Sequence, residues 1–112
     1  MSSLAGQTVV VTGGARGIGL GIAQHLARQQ CRVVIWDRNV DAFDARSAAF
    51  EPAHVQVVDV ADYASVDAAL AGTIVAVERV DILVNNAGIN GPVTPAWEYP
   101  IDAWERVIAV VT

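Results

Sequence analysis

The chain has 112 residues, a formal net charge of −5 and a hydrophobic content of 54%, which suits one globular domain with a well-buried core. Its acidic residues are scattered and no basic stripe answers nucleic-acid phosphates, so nucleic acid is not an expected partner. No apolar run approaches the roughly 18 residues of a membrane span, and Met1-Ser2-Ser3 lacks the charged start and apolar core of a signal peptide, so the expectation is a cytoplasmic protein with no membrane partner.

The first apolar segment, Thr8–Val11, is short and β-branched and reads as a buried strand. It runs into Thr12-Gly13-Gly14-Ala15-Arg16-Gly17-Ile18-Gly19, and an amphipathic helix over Ile18–Gln29 follows, with Ile18, Ile22 and Leu26 on one stripe. A second strand is expected over Arg32–Trp36. Cys31, the single cysteine, cannot form an internal disulfide and reads as a small buried side chain beside that strand. A helix over Val40–Phe50, a strand over Val55–Val58 and a helix over Tyr63–Val77 come next, the last carrying Val66, Leu70, Ile74 and Val77 on its apolar side. The fourth strand is Ile82–Val84. Beyond it lies a loop of turn formers, Asn85-Asn86-Ala87-Gly88-Ile89-Asn90-Gly91-Pro92, and a last helix is expected from near Ile101. Trp97, Tyr99 and Trp104 read as residues packing that helix on the sheet.

Continuous apolar strands alternating with helices predict an α/β fold: a doubly wound parallel sheet of four strands in the order 3-2-1-4, as a single domain over residues 1–112. His25 and His54 stand apart from other ligand types, so no metal site is expected. All seven basic residues are arginines: Arg16, Arg28, Arg32, Arg38, Arg46, Arg79 and Arg106. A Walker-type phosphate loop, which needs a lysine, is therefore excluded within this polypeptide.

The turn after the first strand carries most of the chemistry. Glycines allow positive φ and let backbone N–H groups approach an anion, while the helix behind adds a favourable dipole. A dinucleotide is the leading ligand, and a tight turn without a ligand is the alternative. The glycines fall in a G-x-x-x-G-x-G spacing at Gly13, Gly17 and Gly19. Asp37 ends the second strand 18 residues beyond Gly19, close to where a dinucleotide fold places its ribose-binding acid. Asp37 would accept hydrogen bonds from the adenosine 2′- and 3′-hydroxyls and repel a 2′-phosphate, which favours NAD over NADP; a solvated strand end is the alternative. Arg16 and Arg38 could pair with a 2′-phosphate, and Arg38 could instead stack over adenine. Asp59 falls on the same rim and suits adenine recognition or, equally, N-capping of the next helix. Asn85-Asn86-Ala87-Gly88 brings small residues and an amide to that rim, or forms a local Asn turn.

Four motifs in this order resemble the short-chain dehydrogenase/reductase family: Thr12-Gly13-x-x-x-Gly17-x-Gly19, Asp37, Asp59-Val60 and Asn85-Asn86-Ala87-Gly88. The resemblance covers essentially the whole chain and implies a Rossmann-like fold. It further implies that Arg16 and Ile18 contact the pyrophosphate side, that Asp59 and Val60 frame adenine, and that Asn86, Ala87 and Gly88 line the ribose and nicotinamide end. Trp104–Val110 looks like the family's fourth helix. These enzymes use a Tyr-x-x-x-Lys pair, a serine and a helix-four asparagine to transfer hydride. None of that set is present: Tyr63 is followed four places on by Asp67 and Tyr99 by Ala103, and Val111 stands where the asparagine belongs. No catalytic residue is assigned, and the chain is expected to be the cofactor-binding half of an alcohol dehydrogenase or a carbonyl or 3-oxoacyl reductase, inactive alone, whose full-length relatives act on a small molecule. A family-like Asn-Leu-Thr continuation encoded AAC-CTG-ACC and shifted by one base would read threonine followed by a stop, so a frameshift fits the ending as well as a deliberate truncation does. Strand four is expected to be an exposed edge open to self-association. Two further classes stay open: a non-catalytic nucleotide-binding or interaction module, and a methyltransferase using S-adenosylmethionine.

Overall fold

A computed structural model of the chain describes residues 4–86 and 107–111. Five strands form one parallel sheet in the order β3-β2-β1-β4-β5. They are β1 (Thr8–Thr12), β2 (Arg32–Asp37), β3 (His54–Val57), β4 (Val80–Val84) and β5 (Val107–Val111). The order of the first four is the expected one, and the alternation of strands with helices produces it.

β1, β2 and β4 divide their side chains between two faces, because successive residues point to opposite sides of a sheet. Val10 of β1, Val34 and Trp36 of β2 and Leu83 of β4 enter one core with Val66, Leu70 and Val77 of helix α3 (Tyr63–Val77). Val9, Val11, Val33 and Ile35 enter the other with Ala23, Ile22 and Leu26 of helix α1 (Gly17–Arg28). Val9, Val10 and Val11 are all fully buried, so β1 is buried on both faces where a one-sided strand would alternate. Ile18, expected on the same stripe as Ile22 and Leu26, is 79% exposed. It lies in the first turn of α1, on the exposed start of the helix. Among the described residues no helix is long and apolar enough to cross a membrane.

Two expected elements differ. The helix expected over Val40–Phe50 is broken into a 3₁₀ turn, Val40–Ala42, and a short helix α2, Ala45–Ala48. The Asn39 side chain accepts the Asp41 N–H at 3.2 Å, and Asp44 accepts the Arg46 N–H at 3.0 Å and the Ser47 hydroxyl at 2.8 Å. These local bonds restart the backbone twice and outcompete a continuous helix. They also hold the exposed Asp44 carboxyl below its ordinary value, Ser47 contributing most. The second difference is β5. Residues 107–110, expected as the end of a last helix, pair in parallel with β4, Val80 with Val107 and Val84 with Val111. Four β-branched residues in a run of five favour a strand, and β4 offers it an edge. β4 is therefore an interior strand, which overturns the expectation of an exposed strand four. The start of that expected helix, with Trp97, Tyr99 and Trp104, lies outside the described residues.

Candidate functional site

The strand registers align the carboxyl ends of the sheet. Thr12 pairs with Trp36, Val11 with Val84 and Asp37 with Val57, so the loops after β1, β2, β3 and β4 meet along one rim. Open α/β sheets bind ligands at such rims.

The turn after β1 is shaped by its glycines. Gly13 and Gly17 have φ of +63° and +62°, a region that β-carbon-bearing residues avoid. The Gly13 N–H donates to the Trp36 carbonyl at 2.7 Å, which folds the turn against the end of β2. Gly19 is needed for a different reason: a Cβ there would collide with the Gly13 carbonyl oxygen and stand 2.5 Å from Asn86 Nδ2. The helix start thus approaches both its own turn and the loop after β4. Arg16 precedes α1 in extended conformation, provides no side-chain cap, and is followed by a first turn without acidic residues. Among the described residues, therefore, no capping side chain or first-turn carboxylate answers the backbone donors at the positive end of the helix dipole.

Asp37 closes β2 and faces this turn. Its Oδ2 accepts the Ala15 N–H and its Oδ1 the Asn39 N–H, each at 3.0 Å. The carboxylate is half-buried, and no ion pair holds it among the described residues. Arg16 and Arg38 are exposed on either side in sequence. Asp59 lies on the same rim, where its Oδ1 accepts the Ala61 N–H at 3.0 Å and its own N–H donates to Ser65 Oγ at 3.0 Å. Helix α3 is capped by Asp62, which accepts the Ala64 N–H, so the N-capping alternative for Asp59 is not realised. Val60 belongs to the buried core beneath the rim, at 7% exposure.

Thr12 joins the rim's two central loops. Its buried hydroxyl accepts the Asn86 N–H at 2.8 Å and lies 3.3 Å from the Val84 carbonyl and 3.2 Å from Asn85 Oδ1 as donor. Asn86 is thereby brought beside Gly19. Ala87 and Gly88 lie outside the described residues. Sequence reasoning placed Thr12 inside the motif without a task, and it missed Ala15, whose contribution is a backbone N–H. The signal for Thr12 was a hydroxyl directly after three valines; for Ala15 there was none, because backbone contacts leave no mark on side-chain identity.

Cys31 sits at the opposite end of β2, partly buried, its Sγ 3.5 Å from the Leu4 carbonyl. Burial pushes its thiol up, away from the reactive thiolate. Among the described residues no group of three or more His, Cys, Asp or Glu converges to hold a metal.

This assembly presents backbone donors for an anion beside carboxylate acceptors for hydroxyls. Residues 7–112 match the profile of the short chain dehydrogenase family. A 2-dehydro-3-deoxy-L-rhamnonate dehydrogenase (NAD(+)) of Sphingomonas sp. (strain SKA58) is 42% identical over 106 residues, which cover 95% of this chain and 43% of that protein. An NAD+-bound xylitol dehydrogenase superposes with a TM-score of 0.70 at 28% identity, over 94% of this chain and 42% of the other. The NADP-bound N-domain of a bacterial malonyl-CoA reductase gives 0.71 at 36% identity, over 82% of this chain and 18% of that one. The chain spans less than half the length of each. With the family profile covering all but its first six residues, the chain belongs to the short-chain dehydrogenase family.

Proposed function

We propose that residues 1–112 form the nucleotide-binding part of an NAD(P)-dependent short-chain oxidoreductase that interconverts a small alcohol and a carbonyl compound, with NAD as the preferred cofactor. The observation that carries this reading is the convergence of the Gly13–Gly19 turn and the Asp37 carboxylate on one rim. The residues fit the group. The turn of Gly13, Arg16, Gly17, Ile18 and Gly19 would hold the pyrophosphate at the α1 N-terminus, and the Cβ-free approach at Gly19 keeps that cradle narrow. Asp37 would hold the adenosine ribose hydroxyls, Arg38 would flank the adenine, and Asp59 with Val60 would frame it. Asn86, Ala87 and Gly88 would line the nicotinamide end.

The names of the similar proteins include both NAD and NADP, so the preference rests on Asp37, whose carboxylate disfavours a 2′-phosphate. Once bound, the cofactor supplies hydride transfer; the chain's own residues bind and orient it. The family's Tyr-x-x-x-Lys proton-transfer pair has no counterpart among these 112 residues, which contain no lysine, so this part by itself is proposed to be inactive. A single unpaired cysteine suits a cytoplasmic setting.

The test is a titration with NADH, following energy transfer from tryptophan to nicotinamide. Trp36 is buried one residue from Asp37, its Nε1 donating to Thr73 Oγ1 at 3.0 Å, and serves as the donor. Saturable NADH binding, weaker NADPH binding and a loss of about tenfold or more in NADH affinity for Asp37→Ala are expected. Equal binding of both cofactors by the wild-type chain and the variant would sink the assignment of Asp37.

A further inference from the structure

The Asp37 carboxylate is engaged within the chain's own fold, and by two different loops. Oδ1 holds Asn39, two residues on, while Oδ2 reaches back 22 residues to the Ala15 N–H at 3.0 Å. Ala15 lies between Gly13 and Gly17, both at positive φ. The adjoining bond, from the Gly13 N–H to the Trp36 carbonyl at 2.7 Å, involves the residue next to Asp37. The glycine turn is thus stitched to two consecutive residues of β2. Glycine-rich segments lose the most backbone freedom on ordering, so such stitches decide whether the turn holds one shape. The Asp37 stitch is charge-assisted. Ala15 is fully buried, so losing its acceptor would strand a donor away from water.

From this geometry we infer that Asp37 is also a positioning residue: it sets the shape of the turn that cradles the phosphates of a nucleoside diphosphate, in addition to accepting the ribose hydroxyls. The inference rests on the nucleotide reading proposed above. It carries a sign that electrostatics alone would reverse. Removing a carboxylate beside an anion site relieves repulsion and, taken by itself, strengthens phosphate binding. If Asp37 holds the turn in shape, its removal weakens phosphate binding even when no ribose hydroxyl is present.

The experiment compares ADP with 2′,3′-dideoxy-ADP by calorimetry on the full 112-residue chain, in wild type, Asp37→Ala and Asp37→Asn. Amide hydrogen exchange at Ala15 is followed in the same proteins without ligand. Asp37→Ala is expected to weaken dideoxy-ADP by about tenfold, the worth of one charge-assisted hydrogen bond, and to speed exchange at Ala15. Asp37→Asn, isosteric and able to accept through one oxygen, should recover part of both effects. It also keeps the test alive if the alanine variant does not fold. Unchanged or tighter dideoxy-ADP binding in Asp37→Ala, with unchanged exchange at Ala15, would overturn the inference and leave Asp37 a ribose acceptor only. If the wild-type chain binds neither nucleotide, the nucleotide reading fails, and exchange at Ala15 alone then decides whether Asp37 holds the turn.

Discussion

Asp37 and Asp81 use the same device at opposite ends of the sheet. Each carboxylate accepts a backbone N–H from the β1 region: Asp81 Oδ2 takes Thr8 at 2.8 Å, and Asp37 Oδ2 takes Ala15 at 3.0 Å. Asp81, at the amino ends of the strands, is 8% exposed and pairs with Arg79 at 3.2 Å. Asp37, at the carboxyl ends, is half-buried with no ion pair among the described residues. A closed, neutralised carboxylate fastens strands, whereas an open one keeps capacity for a ligand's hydroxyls. Position on the sheet, more than residue type, decides whether such a carboxylate is closed off or left open at the rim.

The comparison is broken most severely at its closed end. Asp81→Ala strands the Thr8 N–H in a site where Thr8 is fully buried and leaves Arg79 without its partner. Because Arg79 is largely exposed, the expected cost is that of the stranded N–H, about 2 kcal/mol in urea unfolding, with NADH affinity unchanged for the molecules that remain folded. A fall in affinity of the folded fraction would show that the two ends are coupled. Gly19→Ala strikes the open end instead. Its Cβ collides with the Gly13 carbonyl, and overpacking of this kind costs about 2 kcal/mol, here combined with loss of measurable NADH binding in the fluorescence titration. Retained binding would mean that the narrow cradle is not the phosphate site. The smallest effect sharpens the contrast from the other side. Ala49, which ends α2, is held at φ +64°, so Ala49→Gly should raise stability by about 0.5–1 kcal/mol by relieving that conformation. Thermal melting with NADH titration checks that stability moves while binding does not.

Much of the fold was legible because its signals are local and redundant. The Tyr63–Val77 helix has the bounds expected of it, with Asp62 as a cap before an apolar run. The sheet order follows from alternating apolar strands and helices. The rim was legible from the glycine spacing and from the acid that ends β2. What escaped depends on competition or on distant partners. Val40–Phe50 has a helical pattern, but Asn39 and Asp44 bind the backbone locally and divide it. Residues 107–110 match a helix by resemblance, whereas the free side of β4 draws them into a strand. Asp81 was passed over because the expected strand began at Ile82. Its burial is set by Thr8, 73 residues away.

The Thr12 hydroxyl has a consequence for how the chain is made. Its partners, the Val84 carbonyl and the Asn86 N–H, lie 72 and 74 residues downstream. Contacts this remote cannot form while the ribosome has released only β1, the glycine turn and β2. A nascent chain therefore carries its glycine turn long before the loop after β4 has emerged to be tied to it through Thr12.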